Sequence, residues 1–139
     1  MNTQTLLSIV ADQREELLAN DYSELCPRPE ESQLDLKSNR AQVVIGVRRC
    51  GKSTLCEMFL KQKGIDFAYV NFDDDRMEDM KASDLDHLLE ALYMTYGEFK
   101  YLFLDEIQNI EGWPLFVNRL LRQKMHLFIT GSNSKSVSY

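Results

Sequence analysis

Eight consecutive residues of this chain, Gly46 to Ser53, match the G-x-x-x-x-G-K-[ST] pattern of a phosphate-binding loop. The glycines of such a loop permit a tight turn in which a row of backbone N–H groups points at phosphate oxygens. Lys52 has the reach and charge to bind the β- and γ-phosphates, and the Ser53 hydroxyl is a ligand for Mg²⁺. The pattern therefore predicts a site for a nucleotide and its magnesium ion, against the simpler alternative of a glycine-containing turn that binds nothing.

The surroundings of this loop have the order that a phosphate-binding loop requires, with a strand before it and a helix after it. Residues 41–45 form a short run rich in β-branched side chains, which is typical of a buried strand. After the loop, apolar residues recur at helical spacing as far as Gly64, where the helix is predicted to end. The residues that we expect to contact the nucleotide are Gly46, Val47, Arg48, Arg49, Cys50, Gly51, Lys52, Ser53 and Thr54.

An acidic pair, Asp105 and Glu106, follows a run of four apolar residues at 101–104. Ligands of open α/β sheets bind outside the carboxyl ends of the strands, so a carboxylate pair at such an end complements a phosphate loop. In this interpretation Asp105 holds Mg²⁺ directly or through water. Glu106 then activates the attacking water as a general base. Without the loop upstream, a solvated acidic turn would be the simpler interpretation.

Polar residues also follow the apolar residues 127–129, at the end of the fourth predicted strand. A polar side chain at this place is positioned to sense the γ-phosphate and to orient the same water. The candidates are Thr130, Ser132 and Asn133, and the sequence leaves the choice among them open because turns commonly use the same residue types.

The elements around these motifs alternate between strand and helix from residue 41 onwards. Strands are predicted at residues 41–45, 66–72, 101–104 and 126–130, with helices after the loop, at 85–93 and at 113–121. This alternation predicts an α/β fold, a three-layer sandwich in which helices cover both faces of a mostly parallel sheet. We expect residues 1–39 to form an N-terminal helix and linker appended to a nucleotide-binding core at residues 40–139.

The bulk composition excludes several classes of protein. The 139 residues carry a net charge of −6, so no global basic field favours nucleic acid. No apolar run has the roughly 18 residues of a membrane span, and the first residues lack the basic start of a secretion signal. The three cysteines show no C-x-x-C spacing and are typical of reduced thiols. We therefore expect a cytoplasmic protein that does not contact a membrane.

Four segments together resemble the prokaryotic AAA+ family of ATPases, in the branch whose ATPase domain usually precedes a C-terminal, possibly nuclease-like domain. They are the phosphate loop with Thr54-Leu55, residues 69–74, residues 102–108 with Gly112-Trp113, and residues 128–134. The resemblance covers residues 41–136 and is more specific than the phosphate loop alone. It implies a P-loop NTPase fold of the ASCE type, with strand order 5-1-4-3-2, and it implies ATP as the nucleotide.

The resemblance also assigns roles to individual residues. Lys52 would bind phosphate, Ser53 the magnesium ion, and Asp105 would be the Walker B aspartate. Glu106 would be the catalytic glutamate, and Asn133 or a neighbour the sensor. Family members normally carry a small residue where this chain has Cys50.

A complete domain of this family continues beyond the fourth strand into a fifth strand, a helical lid and a C-terminal domain. Since the sequence ends at Tyr139, we expect a truncated core in which strand 5, the lid and the C-terminal domain are missing. Self-association through the ATPase core is compatible with this family, and Arg119 or Arg122 is then a candidate arginine finger for a neighbouring copy. Ordinary solvated positions are the simpler interpretation of both arginines.

Three functions fit these observations to different degrees. The best is Mg²⁺-dependent ATP hydrolysis that drives a missing domain, and the second is a module that binds ATP without turning it over. A small-molecule kinase fits less well, because Glu106 beside Asp105 suits the activation of water rather than transfer to a substrate hydroxyl. A GTPase is disfavoured, since no N-K-x-D guanine-reading motif follows the fourth strand.

Overall fold

The computed structural model describes residues 2–19, 42–46, 61, 63–64 and 66–132, with residues 42–46 and 132 described by their backbone. Within these ranges three helices and four strands form. The helices are α1 (Thr3–Ala19), α2 (Leu85–Tyr96) and α3 (Trp113–Arg122). The strands are β1 (Gln42–Gly46), β2 (Ala68–Asn71), β3 (Tyr101–Asp105) and β4 (His126–Ser132). Short 3-10 turns occur at Asp75–Met77, Ala82–Asp84 and Ile107–Asn109.

The four strands form one parallel sheet in the order β1-β4-β3-β2. This is the α/β architecture that the alternation of strands and helices predicted. It is also the 1-4-3-2 part of the strand order that the family resemblance implied. Both predictions of the fold are confirmed.

Successive side chains of the strands alternate between the two faces of the sheet, as strand geometry requires. On β3, Leu102 and Leu104 belong to a core that also contains the buried sides of α1, α2 and α3. Phe103 occupies the alternate position and is fully buried as well. Its ring lies 5.1 Å from the ring of Tyr69 on β2. Because β3 is buried on both faces, its sequence is an unbroken apolar run up to Asp105.

Helix α1 packs against α2 and β2 and contributes to the main core. Leu6 and Val10 are completely buried in that core, and Ile9 is 3% exposed. The helix therefore shares its apolar face with the sheet. The predicted boundary between appendage and core at residue 39 falls outside the described residues and stays a prediction.

Glycines end or begin the helices where the chain must reverse direction. Gly97 ends α2 with φ +73°, and its N–H donates to the Tyr93 carbonyl at 2.9 Å. Gly112 precedes α3 with φ +84°, a conformation that side chains with a Cβ rarely adopt. Pro114 then occupies the first turn of α3, where its missing N–H costs nothing.

Candidate functional site

The carboxyl ends of the four strands meet at one edge of the sheet, and the pairing register fixes which residues share a level there. Val44 pairs with Thr130, and Asn71 pairs with Asp105. The Glu106 N–H donates to the Thr130 carbonyl at 3.1 Å, which continues the ladder between β3 and β4. Since β4 separates β1 from β3, the end of β1 lies about two strand spacings, or roughly 10 Å, from the end of β3.

Asp105 is the last residue of β3, and it is buried with 4% of its surface exposed. Tyr69 on the neighbouring strand donates its hydroxyl to Asp105 Oδ2 at 3.1 Å. The Thr130 hydroxyl on the other neighbouring strand donates to Asp105 Oδ1. Each carboxylate oxygen therefore accepts a hydrogen bond from a different neighbouring strand.

Thr130 links the two acidic residues through one side chain. Its fully buried hydroxyl donates to Asp105 and accepts from the Glu106 N–H at 3.0 Å. The same N–H is shared with the Thr130 carbonyl. Of the three sensor candidates, Thr130 is thus shown in contact with the acidic pair. The side chain of Ser132 and all of Asn133 lie outside the described residues.

Glu106 follows β3 in the left-handed backbone region, with φ 60° and ψ 43°. This conformation is uncommon for a residue with a side chain, and it clusters at functional sites. It turns the chain from the strand into the 3-10 turn Ile107–Asn109, and Ile107 anchors that turn in the core with no exposed surface. Glu106 itself is only 3% exposed. Gln108 in the turn donates its Nε2 to Glu106 Oε2 at 2.6 Å.

Of the phosphate-loop residues, Gly46 lies in the described part of the chain. Gly46 ends β1 and pairs with Ser132 at the carboxyl edge of the sheet, which is the edge where Asp105 and Glu106 lie. The other residues expected to bind the nucleotide lie outside the described residues, and their contacts stay predictions: Val47, Arg48, Arg49, Cys50, Gly51, Lys52, Ser53 and Thr54.

The two arginine-finger candidates lie in the last turn of α3. Arg119 forms an ion pair with Asp86 on α2, and its guanidinium lies 5.5 Å from the ring centre of Phe116. Arg122 is exposed. Neither contact tests a role toward a neighbouring copy of the chain.

An acidic loop, Asp73-Asp74-Asp75, follows β2 beside this edge. Arg76 donates to both carboxylate oxygens of Asp74, at 3.0 and 2.7 Å, and to Asp12 of α1 at 2.7 Å. The hydrogen bonds from Arg76 hold the pKa of Asp74 well below its ordinary value of 3.8. In the described part of the chain, no group of three or more His, Cys, Asp and Glu side chains is arranged to hold a metal ion.

Two contacts of the site were not predicted from the sequence. Tyr69 and Gln108 lie within two of the segments that resemble the AAA+ family, at 69–74 and 102–108, but their residue types alone assign them no role at the site. Tyr69 lies on the same face as Asp105 once β2 pairs with β3, and that pairing is known from the structure rather than from the sequence.

Comparison with known proteins decides the family. Residues 38–139 match the family model described as an AAA domain. The chain belongs to this AAA-domain family. Membership confirms the predicted resemblance to AAA-type P-loop ATPases, and it indicates a nucleotide-binding protein of the ATPase class.

Two curated relatives of this AAA-domain chain are proteins described as uncharacterized. One, from Methanocaldococcus jannaschii, is 38% identical over 107 residues, which are 76% of this chain and 24% of the relative. The other, from Haemophilus influenzae, is 36% identical over 105 residues, which are 70% of this chain and 26% of the relative. The chain thus spans about a quarter of the length of these relatives.

The helices were also compared with the dimensions of a bilayer. Among the residues that the structure describes, no helix combines the length and the apolar content needed to cross a membrane.

Proposed function

We propose that this chain is an ATP-binding core that hydrolyses ATP in the presence of Mg²⁺, and that this hydrolysis drives a further domain of a longer protein. One observation carries the proposal. A buried Asp105–Glu106 pair ends β3 at the same edge of the sheet as Gly46, the first residue of the phosphate-loop motif. Burial of acidic side chains is costly unless partners replace the lost hydration, and buried acidic groups of this kind cluster at functional sites.

The donor set at Asp105 is suited to magnesium. Mg²⁺ prefers carboxylate, hydroxyl and water oxygens, and Asp105 presents a carboxylate whose orientation Tyr69 and Thr130 fix from two sides. In the proposal Asp105 and Ser53 would hold the ion. Bound magnesium supplies positive charge that neutralises the phosphate oxygens.

In the proposal, different residues of the protein bind the phosphates and activate the water. Lys52 and the loop N–H groups bind the phosphates and orient them. Glu106 accepts a proton from the attacking water as the water oxygen bonds to the γ-phosphorus. The bond from that phosphorus to the bridging oxygen breaks, and ADP leaves. Asn133 or a neighbouring polar residue orients the water beside the γ-phosphate. The choice of adenine rests on family membership.

The first experiment is calorimetric titration of Mg-ATP into the wild-type chain and the Lys52→Ala variant. We expect a Kd on the order of micromolar for the wild type and loss of measurable binding in the variant, because the phosphates lose their point charge. Lys100→Ala is the matched control, since exposed Lys100 precedes the amino end of β3, at the opposite edge of the sheet. Equal binding by wild type and Lys52→Ala would contradict the proposed loop.

The second experiment separates hydrolysis from binding. Glu106→Gln is expected to keep ATP affinity and to lower phosphate release about 100-fold or more, which is the usual contribution of a general base. A wild-type chain that binds ATP and never releases phosphate would instead be a nucleotide-binding module without turnover. Transfer of the γ-phosphate to an added small-molecule alcohol rather than to water would favour the kinase alternative.

Self-association belongs to the same proposal. If a neighbouring copy supplies Arg119 or Arg122, turnover per chain rises with protein concentration, and light scattering detects a larger species with Mg-ATP. Constant turnover per chain across the concentration range would contradict an arginine finger in this core.

A further inference from the structure

Gln108 has an arrangement that folding alone does not explain. Its Nε2 donates to Glu106 Oε2 at 2.6 Å, while its Oε1 is buried and has no hydrogen-bond partner among the described residues. A buried acceptor without a partner costs free energy, and native proteins keep few of them. The amide is therefore held at this place by its contact with Glu106.

The backbone conformation before Gln108 also places its side chain against Glu106. Glu106 adopts the left-handed conformation, which together with Lys124 makes it one of two non-glycine residues with positive φ in the described part of the chain. Because of this bend, the 3-10 turn folds back and brings the side chain two residues later onto the Glu106 carboxylate. Ile107 and Ile110 fix the turn in the core, with at most 1% of their surfaces exposed.

The direction of the Glu106 carboxylate depends on contacts that the side chain itself makes. The main chain of Glu106 is fixed by Thr130, through the shared N–H described above. A glutamate side chain has three rotatable bonds beyond that main chain, so fixing the backbone does not aim the carboxylate. The short hydrogen bond from Gln108 acts on the carboxylate itself.

We propose that Gln108 is a positioning residue, which aims the Glu106 carboxylate at the water that attacks ATP. This inference rests on the proposed hydrolytic function and deepens it. Gln108 does not touch the nucleotide in this assignment and takes no proton. Its amide holds the Oε2 atom of Glu106.

The decisive variant is Gln108→Met, which keeps the length of the side chain and removes both polar atoms. We expect kcat for phosphate release to fall about 10- to 100-fold, since a misplaced base loses much of its contribution. KM for ATP and the calorimetric Kd remain unchanged, because no nucleotide contact is lost. The melting temperature changes little, because the lost hydrogen bond to Glu106 and the removal of the unpaired buried oxygen have opposite effects on stability.

This combination separates positioning from a structural role. A residue that only stabilises the turn would lower the melting temperature along with the rate. The matched control is Gln123→Met, the same substitution at an exposed position just after α3, and it should change neither quantity.

A double variant tests whether Gln108 acts through Glu106. In a Glu106→Gln background, adding Gln108→Met should lower kcat by less than twofold, because the group that Gln108 orients is already lost. A further tenfold loss in the double variant would overturn the assignment. So would a Gln108→Met single variant that keeps the wild-type rate.

The outcome for the wild type distinguishes this inference from the function on which it rests. If the wild-type chain binds ATP and releases no phosphate, the hydrolytic function fails and the role of Gln108 fails with it. If the wild type hydrolyses ATP, Glu106→Gln abolishes turnover and Gln108→Met is fully active, only the inference about Gln108 fails.

Discussion

The position of the Asp105 carboxylate is set by side chains from both neighbouring strands. Tyr69 donates to one oxygen and Thr130 to the other. Removal of a buried carboxylate from water is unfavourable unless such partners replace the lost hydration. The same two bonds restrict the rotation of the carboxylate, so any ion that it binds meets a fixed ligand.

Tyr69→Phe tests the orientation of this ligand. The substitution keeps the ring beside Phe103 and removes the donor to Asp105 Oδ2. We expect the free energy of unfolding to be about 1 kcal/mol lower than in the wild type. We also expect the Mg²⁺ concentration that gives half-maximal ATP binding to rise several-fold, because the carboxylate turns more freely. Urea unfolding and a magnesium titration of ATP binding measure the two effects.

The control for this substitution is Tyr101→Phe. Tyr101 lies at the amino end of β3 and stacks on His126, with 4.7 Å between ring centres. Its hydroxyl is remote from the acidic pair, so the magnesium titration should match the wild type. An equal shift of the magnesium titration in both variants would contradict a role for Tyr69 at the site.

The sequence predicted the acidic pair and not the side chains that hold it. Asp105 and Glu106 follow an apolar run, a pattern that depends only on nearby residues. Tyr69 meets Asp105 across 36 positions of the chain, and only the register of β2 against β3 brings them together. Gln108 reaches Glu106 because the backbone of Glu106 has a positive φ. Such a conformation is rarely predictable from residue type, except at glycine.

At the scale of elements, α1 is joined to the sheet by a polar contact as well as by its apolar face. Gln13 is 1% exposed, and its side-chain amide bonds both main-chain groups of Asn71 on β2. Its Nε2 donates to the Asn71 carbonyl at 2.9 Å, and its Oε1 accepts from the Asn71 N–H at 3.0 Å. Asn71 pairs with Asp105 on its other side. The amide of α1 thus continues the row of hydrogen bonds that crosses the sheet at the level of the acidic pair.

Gln13→Met tests the contribution of this contact to stability. The variant keeps the length of the side chain and leaves the two main-chain groups of Asn71 without these partners. We expect the free energy of unfolding to fall by about 1–3 kcal/mol, measured by urea titration. Hydrogen exchange at the Asn71 amide should also become faster, because its acceptor is lost.

The comparison variant is Gln4→Met on the same helix, where the side chain is exposed. It should lower the free energy of unfolding by less than about 0.5 kcal/mol, as surface changes usually do. A Gln13→Met variant as stable as Gln4→Met would mean that water replaces the amide at no cost.

Element boundaries were predictable because their signals are local. The predicted strand at 101–104 is β3 (Tyr101–Asp105), and the helix predicted at 85–93 lies within α2 (Leu85–Tyr96). The apolar spacing of α1 was also visible in the sequence. Its place against α2 and β2 was not, because nothing in a helical repeat specifies which distant element covers it.

At the scale of the whole molecule, the response to acid should depend on the Asp74 carboxyl. Its pKa is lowered in the folded state, so its contribution to stability is present above its ordinary value of 3.8 and is lost as the pH falls below it. Asp74→Asn lacks this contribution at every pH. We therefore expect the gap in stability between wild type and variant to narrow as the pH falls from about 5 to about 2.

Urea midpoints measured across this range give the gap directly. Asp79→Asn serves as the control, since Asp79 is an exposed carboxyl in the same segment. Parallel pH profiles for wild type and Asp74→Asn would show that the Arg76 contact adds no stability. High salt should shrink the gap at neutral pH, because the side chain of Arg76 is 39% exposed.

The hydrogen bonds between Gln13 and both main-chain groups of Asn71 affect how this chain meets other chains. An outer strand with free N–H and C=O groups is a template on which a foreign strand can add, and such addition begins aggregation. At Asn71 those groups are already occupied by the α1 amide. A version of the chain that starts after α1 would expose them on β2, so expression trials that trim the first helix should yield less soluble protein.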